Sequence, residues 1–325
     1  MVKKNKLIII LFIGLFASLS IFLYLHFTAV SSSKEKFSDL IKEKVTFHNW
    51  WGLEEEKAVF YELFSGVANK FDEIQICSPG AEPNKKTKKT LLVNFSGESH
   101  YNDPTKFDVN LLPTDNCKNL IVFPFASYHV IRSNLTFNDN SKINLNQLCE
   151  RRKLKKDLKS QNFCLFAVSN PNSEIRKNFF LELSKRKKVD SCGTVLNNTG
   201  DKCPGRYDSE EYMDYINKYK FMICFENVSQ TNYLTEKLIN SYYFGTIPIY
   251  WGCPNIGDYV NVDSILYLKP EFTDADVEKL MTEIEALDND DDLYKKKYES
   301  VFFKNGTIPD AFNLDKLKEK INALD

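Results

Sequence analysis

The chain carries no excess of charge of either sign: 43 lysines and arginines stand against 44 aspartates and glutamates. That balance argues against a nucleic-acid partner, which needs a net basic face. The eight cysteines nowhere show the paired spacing of a zinc site. A D-x-D metal motif does occur at Asp274-Ala275-Asp276, but Thr273 and Asp276 have capping-box spacing ahead of an amphipathic stretch, and no apolar strand leads into it. It reads as a helix cap, so no metal ligand is expected.

Charge is also missing from residues 7–30, an almost unbroken apolar run long enough to span a bilayer. Lys3, Lys4 and Lys6 precede it, so the positive-inside rule leaves 1–6 as a cytosolic tail and sends the rest to the far side. We read 7–30 as a transmembrane signal anchor and 31–44 as a short stem; a cleaved secretory signal is the alternative. All eight cysteines lie beyond the anchor, which fits an oxidising lumen. Cys192 and Cys203 bracket a glycine- and asparagine-rich loop and form the expected local bridge, while Cys164 and Cys224 sit in apolar runs as buried thiols. Sequons occur at Asn134, Asn197 and Asn305 in loop-like surroundings, and at Asn94 and Asn227 in core or site segments.

Beyond the stem, short apolar runs alternate with helical patterns, the sign of α/β layers. Strands are expected at 45–51, 74–77, 91–95, 107–111 and 120–125, with a helix at 54–64. The charged segment 150–160, ERRKLKKDLKS, reads as a helical linker between a domain at 45–155 and a second at 156–285. The second repeats the alternation: strand 163–168, helix 174–184, strand 221–225, helix 235–244 and strand 247–251. A helical segment at 286–325 follows, with Asp288 to Asp292 as a solvated turn and a last helix at 314–324.

Phe221 to Gly252 is the most informative stretch. It holds a strand, a polar loop from Glu226 to Tyr233, a helix that Thr235 can cap, and a second strand after Gly245. Such a unit puts the free N–H groups of the helix start at the carboxyl edge of a parallel sheet, where anions bind. Lys237 adds a cation in that first turn and Glu236 a hydroxyl acceptor, which suits a sugar nucleotide. On spacing alone, a surface Glu-Lys pair is the more common reading, since both residues are frequent in first turns.

The runs FENVSQTNYLTEKL at 225–238 and GTIPIYWG at 245–252 resemble the signature of the α-1,3-fucosyltransferases, glycosyltransferase family ten, with Leu234 in place of the usual Val or Ile. SNPNSEIRKNFFLEL at 169–183 and FSGES at 95–99 resemble two further blocks of that family in the expected order, so the resemblance covers about residues 45 to 270. It implies a GT-B fold, two Rossmann-like domains facing a cleft, and inverting transfer of L-fucose from GDP-fucose to an N-acetylglucosamine hydroxyl of a glycan or glycoprotein. It implies Glu98 as general base; His100 is the competing base by its chemistry alone, and Glu236 would bind sugar hydroxyls or offset positive charge at the anomeric carbon. Arg176 and Lys237 would hold the diphosphate, and Tyr233, Asn227 and Glu226 would complete the donor loop, the last two through binding or through fixing the loop. No cofactor is required on this reading, although divalent metal could stimulate.

A salt bridge from Arg176 to Glu174 is the bland alternative for that arginine. Segments 96–106 and 124–135 are expected to read the acceptor. The anchor and the resemblance together place the enzyme in the Golgi membrane, type II, with its catalytic part in the lumen. Transfer in α-1,4 linkage, another donor sugar, or an inactive membrane-anchored glycan-binding protein are the competing readings.

Overall fold

Parallel strands buried on both faces need continuous apolar runs rather than alternation, and TLLVNF at 90–95 and YKFMI at 219–223 are buried at every position. The computed structural model describes residues 40–84, 87, 89–137 and 139–323. The expected anchor at 7–30 lies outside them. Among the described residues the strands form two five-stranded parallel sheets. The first runs in chain order, β1 (Val45–His48), β2 (Glu73–Cys77), β3 (Thr90–Phe95), β4 (Val109–Leu112) and β5 (Leu120–Val122). The second contains β6 (Asn162–Phe166), β7 (Val189–Ser191), β8 (Tyr219–Ile223), β9 (Ile247–Tyr250) and β10 (Leu266–Tyr267), in spatial order β10-β9-β8-β6-β7.

The helices that matter below are α1 (Ala58–Leu63), α2 (Phe125–Thr136), α3 (Glu174–Arg186), α4 (Glu210–Ile216), α5 (Glu236–Tyr243), α6 (Asp274–Asn289), α7 (Asp291–Tyr298) and α8 (Leu314–Asn322). Phe60 and Leu63 of α1 and Tyr128 and Ile131 of α2 pack on Ile74, Ile76, Val93 and Phe95 of the first sheet. Leu317 and Ile321 of α8 join that same core, so the last helix returns to the first sheet and Lys318 pairs with Glu62 at 3.3 Å. α7 instead buries Tyr294 and Tyr298 against the second sheet. The Cys192–Cys203 disulfide forms, and Cys164 and Cys224 are buried free thiols.

Three expectations are corrected. Segment 124–135 is not a loop: it is the helix α2, buried from residue 126 to 133, and of it Phe125 lines the cleft. Segment 150–160 is not helical apart from a short turn at Leu158–Ser160. There Arg152 lies between the rings of Tyr242 and Tyr298, 3.8 and 3.6 Å from their centres, and donates to the carbonyls of Tyr298 and Thr246. Lys156 reaches the carbonyl of Tyr219 at 2.7 Å. Outside a helix, both cations meet carbonyls that come from three other segments. Asp288 to Asp292 is only in part the expected solvated turn, its residues 289 to 292 being exposed. Asp290 caps α7 by accepting from Asp292 and Leu293, and Asp288 is buried against Lys220 at 2.9 Å.

Candidate active site

The order β10-β9-β8-β6-β7 reverses direction between β6 and β8. In an open parallel sheet a ligand crevice opens at the carboxyl ends of the strands at such a switch point. A cavity of about 660 Å³ lies there. One wall comes from the second sheet: Ala167 to Asn170 after β6, Asn227 after β8, Arg176 of α3, and Thr235, Glu236 and Lys237 at the start of α5. The facing wall comes from the carboxyl ends of the first sheet: Asn49, Trp50 and Trp51 after β1, Pro79 after β2, and Ser96, Gly97, Glu98 and His100 after β3.

On the second-sheet wall Arg176 is 3% exposed. Its Nη2 donates to the carbonyl of Asn170 at 3.1 Å, its Nε has no hydrogen-bond partner, and among the described residues no carboxylate lies within ion-pair distance. The salt bridge to Glu174 does not form, because Glu174 pairs with Lys177. Burial holds the Arg176 guanidinium below its ordinary pKa, with Glu226 partly offsetting it. Asn227 Oδ1, also on this wall, is likewise buried without a partner. A desolvated cation and an unsatisfied amide oxygen on one wall are costly unless a ligand brings an anion to the first and a hydrogen-bond donor to the second.

Glu226 stands apart from the other residues implied for the donor. It is fully buried, does not line the cavity, and accepts from the Thr235 amide at 2.9 Å and the Thr235 hydroxyl at 2.8 Å. Thr235 is the N-cap residue of α5 by backbone geometry, yet its hydroxyl serves Glu226 instead of capping. Glu226 thus sets where α5 begins. Burial pushes its carboxyl up to about 7, against the pull of Lys237. Lys237 Nζ lies 3.2 Å from both Glu236 Oε1 and Thr235 Oγ1. Burial alone would lower the Lys237 ammonium, but Glu236 and Glu226 outweigh it and hold the pKa above its usual value. Burial likewise works against Glu236, and Lys237 keeps its carboxyl below the ordinary range.

On the first-sheet wall Glu98 is exposed at the end of a turn pinned by Ser96, whose hydroxyl accepts from the Glu98 amide at 3.0 Å and reaches the His100 carbonyl at 2.6 Å. Gly97 is required here, since a Cβ would lie 2.3 Å from the Phe125 ring. Tyr233 crosses the cleft and donates to Glu98 Oε2 at 3.1 Å. Glu98, Tyr233, Arg176, Asn227, Glu236 and Lys237 therefore share one cavity. His100 lines it too. Asp276 closes a reciprocal capping box with Thr273 at the start of α6, as expected.

Residues 156–302 match the family described as Glycosyltransferase family 10 (fucosyltransferase) C-term. This stretch belongs to glycosyltransferase family 10. The family 10 region holds Arg176, Asn227, Tyr233, Glu236 and Lys237, whereas Glu98 comes from outside it. The Alpha-(1,3)-fucosyltransferase FucT of Helicobacter pylori is 28% identical over 259 residues, 69% of this chain and 53% of that protein. Human GDP-fucose protein O-fucosyltransferase 3 is 33% identical over 124 residues, 37% of this chain and 26% of that protein. The chain thus spans about half the length of the first relative and about a quarter of the second. A crystal structure of an alpha1,3-fucosyltransferase with GDP-fucose superposes with a TM-score of 0.64 at 19% identity, over 86% of this chain and 89% of that one. At that identity the likeness shows a shared fold.

Sequence reasoning missed a buried network that joins the family 10 region to the first sheet. Arg132 of α2 is 1% exposed and forms ion pairs with Glu56, next to α1, and with Asp208, next to α4. Arg206 bridges the same two carboxylates. Arg132 Nη2 also lies 3.3 Å from His129 Nδ1. A guanidinium can only donate, so Nδ1 accepts and the ring proton sits on Nε2, which donates to Asn240 Oδ1 at 2.9 Å. Burial and then Arg132 push His129 down to about 4, so it is neutral at physiological pH. Asn240 belongs to α5, so this chain tethers the helix carrying Glu236 and Lys237 to α2. Charges far apart in sequence give no local signal; only the lone His and Arg at 129 and 132, one turn apart in an apolar segment, hinted at a polar role.

Proposed function

We propose that this protein transfers L-fucose from GDP-fucose to a glycan hydroxyl with inversion at the anomeric carbon. The observation carrying this reading is Arg176: a buried guanidinium without a carboxylate partner among the described residues, at the switch point of a parallel sheet, facing a carboxylate across the cleft. The guanidinium can chelate two diphosphate oxygens, and the Lys237 ammonium and the N–H groups at the start of α5 add to the positive field. As the anomeric C–O bond to the diphosphate breaks, negative charge grows on the departing oxygen where these groups stand ready. Glu236 on the same helix turn opposes the positive charge that builds on the sugar ring. Glu98 takes the proton of the incoming hydroxyl as its oxygen bonds to the anomeric carbon, and Tyr233 orients that carboxylate.

Two side-chain cations perform the neutralisation that a divalent ion supplies elsewhere, so no metal is required on this reading. The acceptor is an N-acetylglucosamine hydroxyl, bonded in α-1,3 linkage, in protein glycosylation. The anchor read at 7–30 puts the reaction on the lumenal side of the Golgi membrane. The match to GDP-fucose protein O-fucosyltransferase 3 favours a protein hydroxyl as the second acceptor class. Incubating the full chain in detergent with GDP-fucose, EDTA, a panel of N-acetylglucosamine glycans and a panel of folded protein acceptors tests both. Transfer to a glycan with a new α-1,3 linkage is expected. Binding of GDP without transfer to any glycan defeats the reading.

A further inference from the structure

We propose that the turn following β1 is the acceptor subsite, with the indole of Trp51 as a stacking platform for the C–H face of a pyranose ring. This rests on the transfer reading above and deepens it. The chain has three tryptophans. Trp251 is 4% exposed, whereas Trp51 leaves 50% of its surface open and lines the cleft.

The turn is built to hold it there. Asn49 adopts a left-handed backbone with φ of 54°, a conformation that costs an asparagine little but redirects the chain sharply. Its side-chain amide ties back to the Pro79 carbonyl. Trp50 then turns inward among Phe47, Phe60 and Phe95, at 5.2, 5.5 and 6.2 Å between ring centres. Gly52 makes that packing possible, since a Cβ there would lie 2.4 Å from Glu56 Oε2 and 2.9 Å from the Trp50 ring. Trp51 stacks on Trp50 at 5.6 Å and 18°, and Phe125 buttresses it at 6.0 Å. The indole is therefore rigid, and its open surface is presented without the entropy cost of ordering a mobile side chain.

A flat apolar surface beside polar side chains fits a sugar ring, which has one C–H face and hydroxyls around its rim. The wall decides between the two substrates. The guanidinium, the ammonium and the helix start that suit a nucleotide diphosphate are all on the second-sheet side. Trp51 shares the first-sheet wall with Glu98, the group that must reach the acceptor hydroxyl.

The test measures kinetics and GDP affinity of the full chain, wild type and Trp51→Ala and Trp51→Phe, with N-acetyllactosamine and chitobiose as probes. Trp51→Ala should raise the acceptor KM about tenfold, and Trp51→Phe by no more than about threefold, with GDP affinity unchanged. An unchanged acceptor KM in Trp51→Ala overturns the proposal, and so does a parallel loss of GDP affinity. Should Trp51→Ala fail to fold, Trp51→Phe carries the test through fluorescence. The probes must then quench wild-type emission more than that of the variant, and equal quenching overturns the stacking. Wild-type protein that binds GDP but fucosylates neither probe nor any other glycan removes the transfer reading itself, a result separate from either of these.

Discussion

Tyr233 donates a 3.1 Å hydrogen bond to Glu98 Oε2, and this contact spans the cleft between the two sheets. It joins the donor loop to the carboxylate assigned as base. Tyr233→Phe should lower kcat about tenfold, since a hydrogen bond to a charged group contributes about 1.5 to 3 kcal/mol. Glu98→Gln should cost about 10² to 10⁴ in kcat. Both variants should keep wild-type GDP affinity by calorimetry; a loss of GDP affinity in Glu98→Gln would move Glu98 to the donor side.

Arg176 should show function and stability pulling apart. Arg176→Met removes a buried cation that, among the described residues, is held by the Asn170 carbonyl, so the melting temperature should hold or rise. GDP affinity should fall by about 2 to 5 kcal/mol, the cost of deleting one member of a desolvated charge pair. Arg176→Lys should not restore it, because a point charge cannot chelate two oxygens. Calorimetric GDP binding beside thermal melts checks both halves.

Glu226 and His129 make opposing contributions to stability as pH changes. The Glu226 carboxyl is raised to about 7 in the folded protein, so its contribution is complete at low pH and is lost as pH rises toward 7. The His129 imidazole is lowered to about 4, so its contribution is present above its ordinary value and is lost as pH falls. Glu226→Gln cancels the first and leaves the second. The difference in melting temperature, variant minus wild type, should therefore climb from pH 5 to pH 7. A flat difference would show that Glu226 is ionised throughout.

Arg132 holds two buried carboxylates, and Arg132→Met strands them. We expect a loss of about 3 kcal/mol in urea unfolding, moderated because Arg206 still reaches both. Adding Glu56→Gln to that variant should recover part of the loss. Full additivity of the two changes would mean that the side chains do not interact.

Local signals carried well where one segment settles its own structure. The apolar runs at 91–95 and 247–251 became β3 and β9, Thr273 and Asp276 formed their box, and Cys192 met Cys203 across eleven residues. They failed where a segment's partners come from elsewhere. FASYHVIRSNLT shows no polar face because α2 is buried between the first sheet's core and α5, so its periodicity is silent. ERRKLKKDLKS looks helical by composition, but its cations serve carbonyls about 60 to 150 positions away.

By itself the sequence determined the two α/β layers, the strand–loop–helix unit at 221–252, and the presence of Arg176 near the start of one helix and of Glu236 and Lys237 near the start of another. Those follow from hydrophobic pattern and capping, which act over a few residues. The tertiary structure alone decided that Glu98 faces Arg176 across a cavity and that Glu226 turns inward to set the start of α5. It alone brought Trp51 to the cleft and returned α8 to the first sheet. These placements depend on which buried groups find partners across the fold, and neither burial nor charge pairing between distant segments is written in local order.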